Sequence, residues 1–305
     1  ATVTYNFAGF SVGCGETFAS TVNFKATDEC GNLTTKLATF TIVDTEDPYW
    51  INAPANLTIE CSSNSYTTQL NAWLNGVTAG DQCGSASVTN NFTGLSDGCG
   101  ATGTATVTFT AIDECGNSIQ AVATFSVVDT SHPVITFCPA DVTISCSSST
   151  APGVLGNILA TDNCDPNVAI AYSDVTTKGL NPDECSYYSY MITRTFVATD
   201  ACGNSTTCVQ HIQVQDVQSP VLTAGTIADC YSSIALAEAA AIAATAGTDN
   251  CDGMLEYTAT TLQPVNCEYL VTVTVSDACG NTSQQVYPVM IGCEVENTND
   301  SGIGS

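Results

Sequence analysis

A turn motif that recurs four times constrains the fold of this chain more than any other feature. Its core is Asp-x-Cys-Gly-Asn, and the copies begin at Asp28, Asp113, Asp200 and Asp277, spaced by 85, 87 and 77 residues. A period of that length predicts an array of one small domain. Because Gly and Asn tolerate positive φ and Asp can bond its own backbone, we interpret each motif as a turn between two strands.

Segments that contain Asp and Pro separate the copies. They occupy residues 44–48, 129–133 and 216–220, and proline makes such joints short and stiff. The first copy is only half a repeat, so we expect the chain to be a piece of a longer or processed protein. The predicted domains are a partial repeat at 1–47, full repeats at 48–132, 133–219 and 220–293, and a flexible polar tail at 294–305.

Alternating apolar and polar residues indicate that strands dominate each copy. Phe40 and Ile42 alternate with threonines, as half-buried strands require. Leu70, Trp73, Leu74 and Val77 follow helical spacing instead, and the alanine-rich segment 233–246 repeats this helix in the last copy. Short strands with turns between them predict an all-β fold of tandem β-sandwich repeats with short helical insertions.

The charge balance excludes some partners. The chain has 4 basic and 30 acidic residues, which gives a formal net charge of −26. Such a chain has no basic groove for phosphates, so we expect no nucleic-acid partner. The acidity is typical of an extracellular protein or of one that collects divalent cations, and plain solubility is the simpler alternative. No apolar run approaches 18 residues, so we expect no membrane-spanning helix.

Seventeen cysteines at recurring positions predict a disulfide framework formed in an oxidising compartment. Four cysteines align in each full repeat, which leaves three possible connectivities inside a repeat. In an immunoglobulin-like sandwich, the loop between the second and third strands and the last hairpin share one pole, and this topology favours one connectivity. The predicted bridges are Cys83–Cys115, Cys164–Cys202, Cys251–Cys279, Cys61–Cys99, Cys146–Cys185, Cys230–Cys267 and the extra pair Cys138–Cys208. Cys14–Cys30 is a fallback pair, and Cys293 has no assigned partner.

Acidic and amide side chains cluster where one repeat is predicted to meet the next. Chain direction brings the joint aspartates beside the pole loops and last hairpin of the following repeat. Oxygen ligands of this kind suit Ca²⁺, which takes six to eight of them. The alternative is that each Asp only caps its own turn. The candidate calcium ligands are Asp44, Asp81, Asp113, Asn117, Asp129, Asp162, Asp165, Asp200, Asn204, Asp216, Asp249, Asp252, Asp277 and Asn281.

We predict that the chain is not an enzyme. His132 lies in a joint and His211 lies on a strand, and neither has a nucleophile implied nearby. Asp183 and Glu184 could pair for glycoside hydrolysis, but two adjacent acids in a loop are common.

The order of motifs in the third copy resembles a known repeat family. Cys138-Pro139 precedes a first strand, 161–165 reads Thr-Asp-Asn-Cys-Asp, 193–204 runs from a strand into the turn motif, and 216–220 ends the copy. This succession is similar to hyalin-type (HYR-like) repeats and, more closely, to repeats of giant surface proteins of Bacteroidetes. Those proteins include gliding-motility adhesins exported by the type 9 secretion system. The resemblance implies an immunoglobulin-like fold and a cell-surface stalk or filament.

These observations predict an extracellular structural repeat protein that forms the stalk, shaft or filament of a bacterial surface adhesin. Its expected partners are further repeats of the same polypeptide or neighbouring copies, with surface glycans as a further candidate. One alternative is a self-assembling fibre subunit in which the incomplete first copy receives a strand from a neighbour. The other is a glycan- or cell-binding module, for which the cluster of Tyr187, Tyr188 and Tyr190 is the candidate surface, although packing along a strand is the simpler interpretation of these tyrosines.

Overall fold

A computed structural model describes residues 1–61, 66–251, 253–265 and 268–292. The chain forms two compact units. Unit 1 contains residues 1–134, 161–169 and 199–205, and unit 2 contains residues 135–160, 170–198 and 206–305. The all-β fold of tandem sandwich repeats with short helical insertions and disulfides, predicted from the sequence, is confirmed. The predicted tail at 294–305 lies outside the described residues.

The first repeat is a single four-stranded sheet. Strand β3 lies in its middle and pairs antiparallel with the three other strands. The bounds are β1 Thr2–Phe7, β2 Ser11–Val12, β3 Phe18–Thr27 and β4 Leu33–Ile42. Every residue of β4 is exposed, although the strand alternates apolar and polar side chains in the manner of a half-buried strand.

The second repeat is a complete sandwich. Its larger sheet has the order β6-β10-β9-β8, with β6 parallel to β10, and its smaller sheet pairs β5 with β7. The bounds are β5 Tyr49–Asn52, β6 Leu57–Glu60, α1 Tyr66–Asn75, β7 Thr78–Gly80, β8 Ala86–Asn90, β9 Gly103–Asp113 and β10 Ser118–Val128.

Helix α1 closes the core of this repeat. Alternation along β9 and β10 turns Phe109 and Phe125 inward, where both are fully buried. The Trp73 ring lies 5.3 Å from the ring of Phe109 and 5.5 Å from that of Phe125, and its Nε1 donates to the carbonyl of Ala55 at 2.7 Å. The helical stripe therefore packs as core, which is its simplest interpretation.

The third repeat has the same sheet order, β12-β16-β15-β14, with β11 pairing β13. Its helix is a single turn, because Pro152 begins it and Gly156, at φ 105°, follows its end. The bounds are β11 Val134–Phe137, β12 Val142–Ser145, α2 Pro152–Leu155, β13 Leu159–Thr161, β14 Ala169–Thr176, β15 Tyr190–Thr199 and β16 Ser205–Gln215.

A charged residue replaces a core valine in this repeat. Arg194 aligns with Val107 of the second repeat by distance from the turn motif, and it is only 1% exposed. Its Nε and Nη2 atoms donate to the two carboxylate oxygens of Asp174, each at 2.8 Å, and Nη2 also donates to the Thr150 carbonyl. The bidentate pairing compensates the guanidinium for part of its loss of water, whereas Nη1 is buried without a hydrogen-bond partner.

The fourth repeat restores the long helix. The side chain of Ser233 accepts a hydrogen bond from the Leu236 amide and caps α3, whose Ala237 and Ala241 pack on the buried face of β21. The bounds are β17 Val221–Ala224, β18 Cys230–Tyr231, α3 Ile234–Ala244, β19 Thr245–Thr248, β20 Glu256–Val265, β21 Glu268–Ser276 and β22 Thr282–Ile291. No helix in the described part of the chain combines the length and apolarity needed to cross a bilayer.

Candidate functional site: the joints between repeats

Each turn motif is held by its own aspartate. Asp113 Oδ1 accepts the backbone N–H groups of Cys115 and Asn117 at 2.8 and 2.9 Å, and its Oδ2 accepts Asn117 Nδ2 at 2.8 Å. The same contacts recur at the three other copies. The glycine takes the left-handed conformation, as at Gly116, where φ is 94°. The motif is therefore a self-contained Asp-capped turn.

These hydrogen bonds set the protonation of the turn aspartates. The Asn32 side chain is the largest influence on Asp28 and lowers its pKa. Burial raises the pKa values of Asp113 and Asp200, but the hydrogen bonds from the motif asparagine and backbone outweigh it, so that both pKa values are lowered. The carboxylates of Asp28, Asp113 and Asp200 are therefore charged at neutral pH.

The asparagine that ends each motif has a second contact. Besides binding its aspartate, Asn204 Nδ2 donates to the Asp129 carbonyl at 3.2 Å, across the joint that ends the second repeat. Asn117 makes the equivalent contact with the Asp44 carbonyl at 3.5 Å. The equivalent bond in unit 2 joins Asn281 to the Asp216 carbonyl at 3.4 Å. Because the amide uses both hydrogens, it couples the end of one repeat to the hairpin of the next.

Disulfides cross the same joints. Among the described residues, six bridges have both partners defined, and five of them connect one repeat to the next. The Cα–Cα distances of the six range from 4.4 to 6.2 Å, within the normal range for disulfides. The bridges are Cys14–Cys115, Cys61–Cys164, Cys99–Cys202, Cys146–Cys251, Cys185–Cys279 and, within the third repeat, Cys138–Cys208.

The predicted connectivity inside each repeat is therefore wrong. The direction of the first strand explains the error. Because β6 runs parallel to β10, Cys61 emerges at the same pole as Asp129, beside the loop that carries Cys164. The pairs that the structure replaces are Cys83–Cys115, Cys164–Cys202, Cys251–Cys279, Cys61–Cys99, Cys146–Cys185 and the fallback Cys14–Cys30. Cys138–Cys208 is the pair that the sequence predicts.

The remaining cysteines fall into two groups. In the described part of the chain, Cys30 and Cys83 have no disulfide partner, and Cys30 is exposed whereas Cys83 is half-buried. Cys230 is disulfide-bonded. Cys267, its predicted partner, and Cys293 lie outside the described residues.

Three acidic clusters mark the joints, and in each cluster one ligand atom per residue lies within 4.8 Å of the others. Joint I is Asp44, Asp81 and Cys83, joint II is Asp129, Asp162 and Asp200, and joint III is Asp216, Asp249 and Asp277. Joints I and II lie in unit 1, and joint III lies in unit 2. The sequence-predicted acids of the three joints thus converge from consecutive repeats.

Joint II has the clearest capacity for a cation. Asp129 Oδ2 and Asp162 Oδ2 are buried and have no hydrogen-bond partner in the structure. Burial raises the pKa of Asp129, and the nearby charges of Asp162 and Asp200 raise it further. Buried, mutually repelling oxygens without donors are the chemistry that a hard divalent cation satisfies. The residues present therefore fit an oxygen-bound cation such as Ca²⁺.

A soft metal does not fit joints II and III. Cys61 and Cys164 lie within reach of Asp129, and Cys146 and Cys251 lie within reach of Asp216. Both cysteine pairs are oxidised to disulfides, so they offer no thiolate.

Several predicted ligands have other contacts. Asp165 Oδ2 accepts the Ala201 amide at 2.8 Å and holds two loops of unit 1 together. Asp113, Asp200, Asp277 and the three motif asparagines make the turn contacts described above, so a cation at joint II or III would share the carboxylate of Asp200 or Asp277 with its turn. Asp252 lies outside the described residues.

One further joint residue carries no recognisable signal in the sequence. Glu60, at the end of β6, accepts hydrogen bonds from the Thr130 amide at 2.7 Å and from the Ser131 hydroxyl at 3.1 Å. The Thr130 bond is the largest influence on Glu60 and lowers its pKa. Glu60 is exposed on β6, and only the turn after β10 brings its hydrogen-bond partners to it.

The tyrosine cluster is engaged within unit 2. Tyr188 is 9% exposed and packs edge-to-face on Tyr187, at 5.0 Å between ring centroids. Lys178 Nζ lies 4.0 Å from the centroid of Tyr187. These contacts indicate packing with a cation–π component.

No family model and no curated protein matches the chain. Among solved structures, it is similar to Drosophila N-cadherin EC1-4, with 12% identity, coverage of 95% of this chain and 92% of that one, and a TM-score of 0.29. Protocadherin Gamma B7 extracellular cadherin domains 1–4 give 13% identity, 94% and 91% coverage, and a TM-score of 0.33. TM-scores this low carry no argument about ligands or partners.

Proposed function

We propose that this chain is an extracellular structural repeat protein that forms the shaft or stalk of a bacterial surface adhesin. Its repeats are coupled by disulfides across every joint, and joint II also holds a divalent cation. The motif order that resembles Bacteroidetes gliding-motility adhesins exported by type 9 secretion supports this more specific assignment. The role is mechanical rather than enzymatic.

The overlapping bridges are the observation that carries the proposal. Each bridge that crosses a joint begins in one repeat and ends in the next, so that a pulling force can pass from repeat to repeat through covalent bonds. Starting at Cys14, the shortest covalent route to Cys279 uses three bridges and only about 33 backbone residues. Most of the chain is therefore shielded from tension, as a load-bearing shaft requires.

A cation at joint II adds a second form of coupling. Asp129 belongs to the end of one repeat, whereas Asp162 and Asp200 belong to loops that follow the joint. An ion bound by all three oxygens opposes their separation and removes their repulsion. At a free concentration 100 times its Kd, such a ligand stabilises the folded state by about 2.7 kcal/mol.

Thermal unfolding with calcium and with a chelator tests the cation. We expect the first transition to shift upward in calcium, and we expect Asp129→Asn combined with Asp162→Asn to abolish the shift. Glu29→Gln combined with Glu268→Gln is a matched control that removes two exposed acids outside the three joint clusters and should keep the shift. Identical melting of the unaltered protein in both buffers refutes the cation site.

Non-reducing peptide mapping tests the mechanical proposal separately. We expect bridged peptides that connect consecutive repeats, including Cys99 with Cys202 and Cys185 with Cys279. Peptides bridged only within repeats would remove the covalent load path and with it the proposed shaft.

A further inference from the structure

Two cysteines and an aspartate converge at joint II. Cys61 Sγ, Cys164 Sγ and a carboxylate oxygen of Asp129 lie within 4.8 Å of one another, and all three residues belong to unit 1. The two cysteines are only 2% and 3% exposed. In the oxidised chain they form a disulfide and offer no thiolate. Reduction of that bridge turns the same group into two sulfur ligands beside a carboxylate.

Hydrogen bonds that do not involve sulfur hold this arrangement. The Cys61 amide donates to the Val128 carbonyl at 2.7 Å, and the Cys61 carbonyl accepts Asn163 Nδ2 at 2.9 Å. The Cys164 amide donates to Asp162 Oδ1 at 2.8 Å. Because none of these contacts depends on the S–S bond, we expect both cysteines to stay in place when the bridge is reduced.

Asp129 supplies an independent observation. Its Oδ2 atom is buried and has no hydrogen-bond partner. A buried carboxylate oxygen without a donor is costly unless a cation meets it. In the reduced chain two sulfurs lie beside this oxygen, and thiolate ligands select Zn²⁺ over the hard cations that oxygen ligands prefer.

The backbone spacing suits a tetrahedral cation. Zinc with bonds of about 2.3 Å to each of two sulfurs holds them about 3.8 Å apart, against about 2.05 Å in a disulfide. The Cα atoms of Cys61 and Cys164 are 5.8 Å apart, and rotation of the two side chains covers the extra separation of about 1.7 Å. Asp129 supplies a third ligand. The fourth position remains for water or for Asp162, which shares the joint II cluster with Asp129.

The same three residue types recur at joint III. Cys146, Asp216 and Cys251 lie within the same distance of one another, although the two cysteines there are only half-buried. The other four bridges among the described residues have no third ligand of this kind within reach. A cysteine pair with a carboxylate therefore belongs to the joints and not to the disulfides in general.

We propose that Cys61, Cys164 and Asp129 bind a thiophilic divalent cation, with the chemistry of Zn²⁺, in the reduced chain, and that formation of the bridge expels it. Joint II is then held by a soft cation before oxidation and by the disulfide afterwards, when its oxygens are left for a hard cation. This inference goes beyond the proposed function, which concerns the oxidised protein.

The exchange balances with a small disulfide as the oxidant. One metal-bound thiolate attacks oxidised glutathione and releases one glutathione thiolate. The other thiolate attacks the mixed disulfide, forms the Cys61–Cys164 bond and releases the second glutathione thiolate. Two electrons pass from the protein sulfurs to the small disulfide. The cation leaves with its charge unchanged because it has lost both sulfur ligands.

Site-resolved alkylation of the complete 305-residue chain tests the site. A phosphine reduces the bridges, with one phosphine oxidised to its oxide for each bridge, and is then removed anaerobically. N-ethylmaleimide is added in zinc, in calcium or in a chelator, and mass spectrometry of digests gives the alkylation rate of each cysteine. Cys138 and Cys208 are the internal control, because they pair without a carboxylate in reach.

We expect zinc to slow the alkylation of Cys61 and Cys164 by about tenfold or more relative to the chelator. Calcium at the same concentration should have much less effect, and Cys138 and Cys208 should respond to neither. Asp129→Asn should raise the zinc concentration for half-protection by about tenfold or more, whereas the control Glu268→Gln should leave it unchanged.

Equal rates in zinc and in chelator at Cys61 and Cys164 overturn the proposal. Equal slowing at Cys138 and Cys208 also overturns it, because zinc then binds thiols without selection, and so does slowing by calcium as strong as that by zinc. Hydrogen exchange of residues 118–128 reports whether the reduced, metal-free joint is folded. If it is not, zinc must restore slow exchange together with slow alkylation for the proposal to stand. Calcium-dependent melting of the oxidised chain is independent of these outcomes, so the two proposals fail separately.

Discussion

The covalent load path makes a numerical prediction for single-molecule stretching. When the oxidised chain is pulled from its ends, the backbone between Cys14 and Cys279 can extend only along the shortest route through the bridges. That route runs from Cys115 back to Cys99 and from Cys202 back to Cys185. It contains about 33 residues, which extend to about 110 Å at about 3.4 Å per residue.

Reduction removes every shortcut. The same stretch then contains about 265 residues and extends to about 900 Å, so we expect a gain of about 790 Å in contour length when a reductant is added. Bridges confined to single repeats would leave a route of about 100 to 120 residues, or about 340 to 410 Å in the oxidised state. The two connectivities therefore differ by more than 200 Å, which force spectroscopy resolves easily.

Two variants sharpen the experiment. Cys185→Ser with Cys279→Ser removes one bridge of the route, and the shortest remaining path has about 58 residues, so the oxidised length should grow by about 85 Å. Cys138→Ser with Cys208→Ser removes a bridge that is not on the route and should leave the length unchanged. An oxidised length above about 300 Å for the unaltered chain, or equal lengthening in both variants, refutes the proposed load path.

Three further predictions concern stability. Phe125→Ala should lower the free energy of unfolding by about 3–5 kcal/mol, whereas the equivalent Phe40→Ala should lower it by under about 1 kcal/mol because the Phe40 ring is exposed. Hydrogen exchange of each repeat measures both changes. Equal changes would contradict the exposure of Phe40. In chelator, the melting temperature should rise as pH falls from 7 towards 4, and Asp129→Asn should reduce this rise. The reason is that folding raises the pKa of Asp129, so its stabilising contribution is fully present below the unfolded pKa and is lost as pH rises through the folded pKa. Calcium should reverse the trend, and a trend that the substitution leaves unchanged argues against the buried carboxylate. Asp174→Ala should destabilise the third repeat by about 3–5 kcal/mol because it leaves Arg194 unpaired. The double variant Asp174→Val with Arg194→Val should destabilise it less. Denaturant unfolding measures both, and the opposite ranking would contradict the buried pair.

Local features of the chain were readable from sequence. The turn motif follows from residue chemistry, because Asp, Gly and Asn at fixed offsets satisfy one backbone turn. The alternation of apolar and polar residues was also readable, but Phe40 and Ile42, which it assigned to a half-buried strand, are exposed, whereas Phe109 and Phe125 in β9 and β10 are buried. Asp129 and Asp162 were assigned to a common joint because chain direction brings them together, and one oxygen of each lies within 4.8 Å of the other.

The disulfide partners were not readable from sequence. Four cysteines recur in register in every full repeat, so a bridge within a repeat and a bridge to the next repeat produce the same spacing pattern. Cys61 pairs with Cys164 because β6 runs parallel to β10 and ends at the pole where the following loop lies. Strand direction within a sheet is a tertiary property that no residue pattern encodes.

The sequence by itself therefore determined the repeat, its strands, its turns and the acidic character of the joints, because each depends on neighbours along the chain. Only the tertiary structure decided which cysteines bond, that Arg194 replaces a core valine above Asp174, and that Phe40 lacks the cover that Phe125 has. These properties depend on groups that are far apart in sequence and meet only when sheets and loops pack.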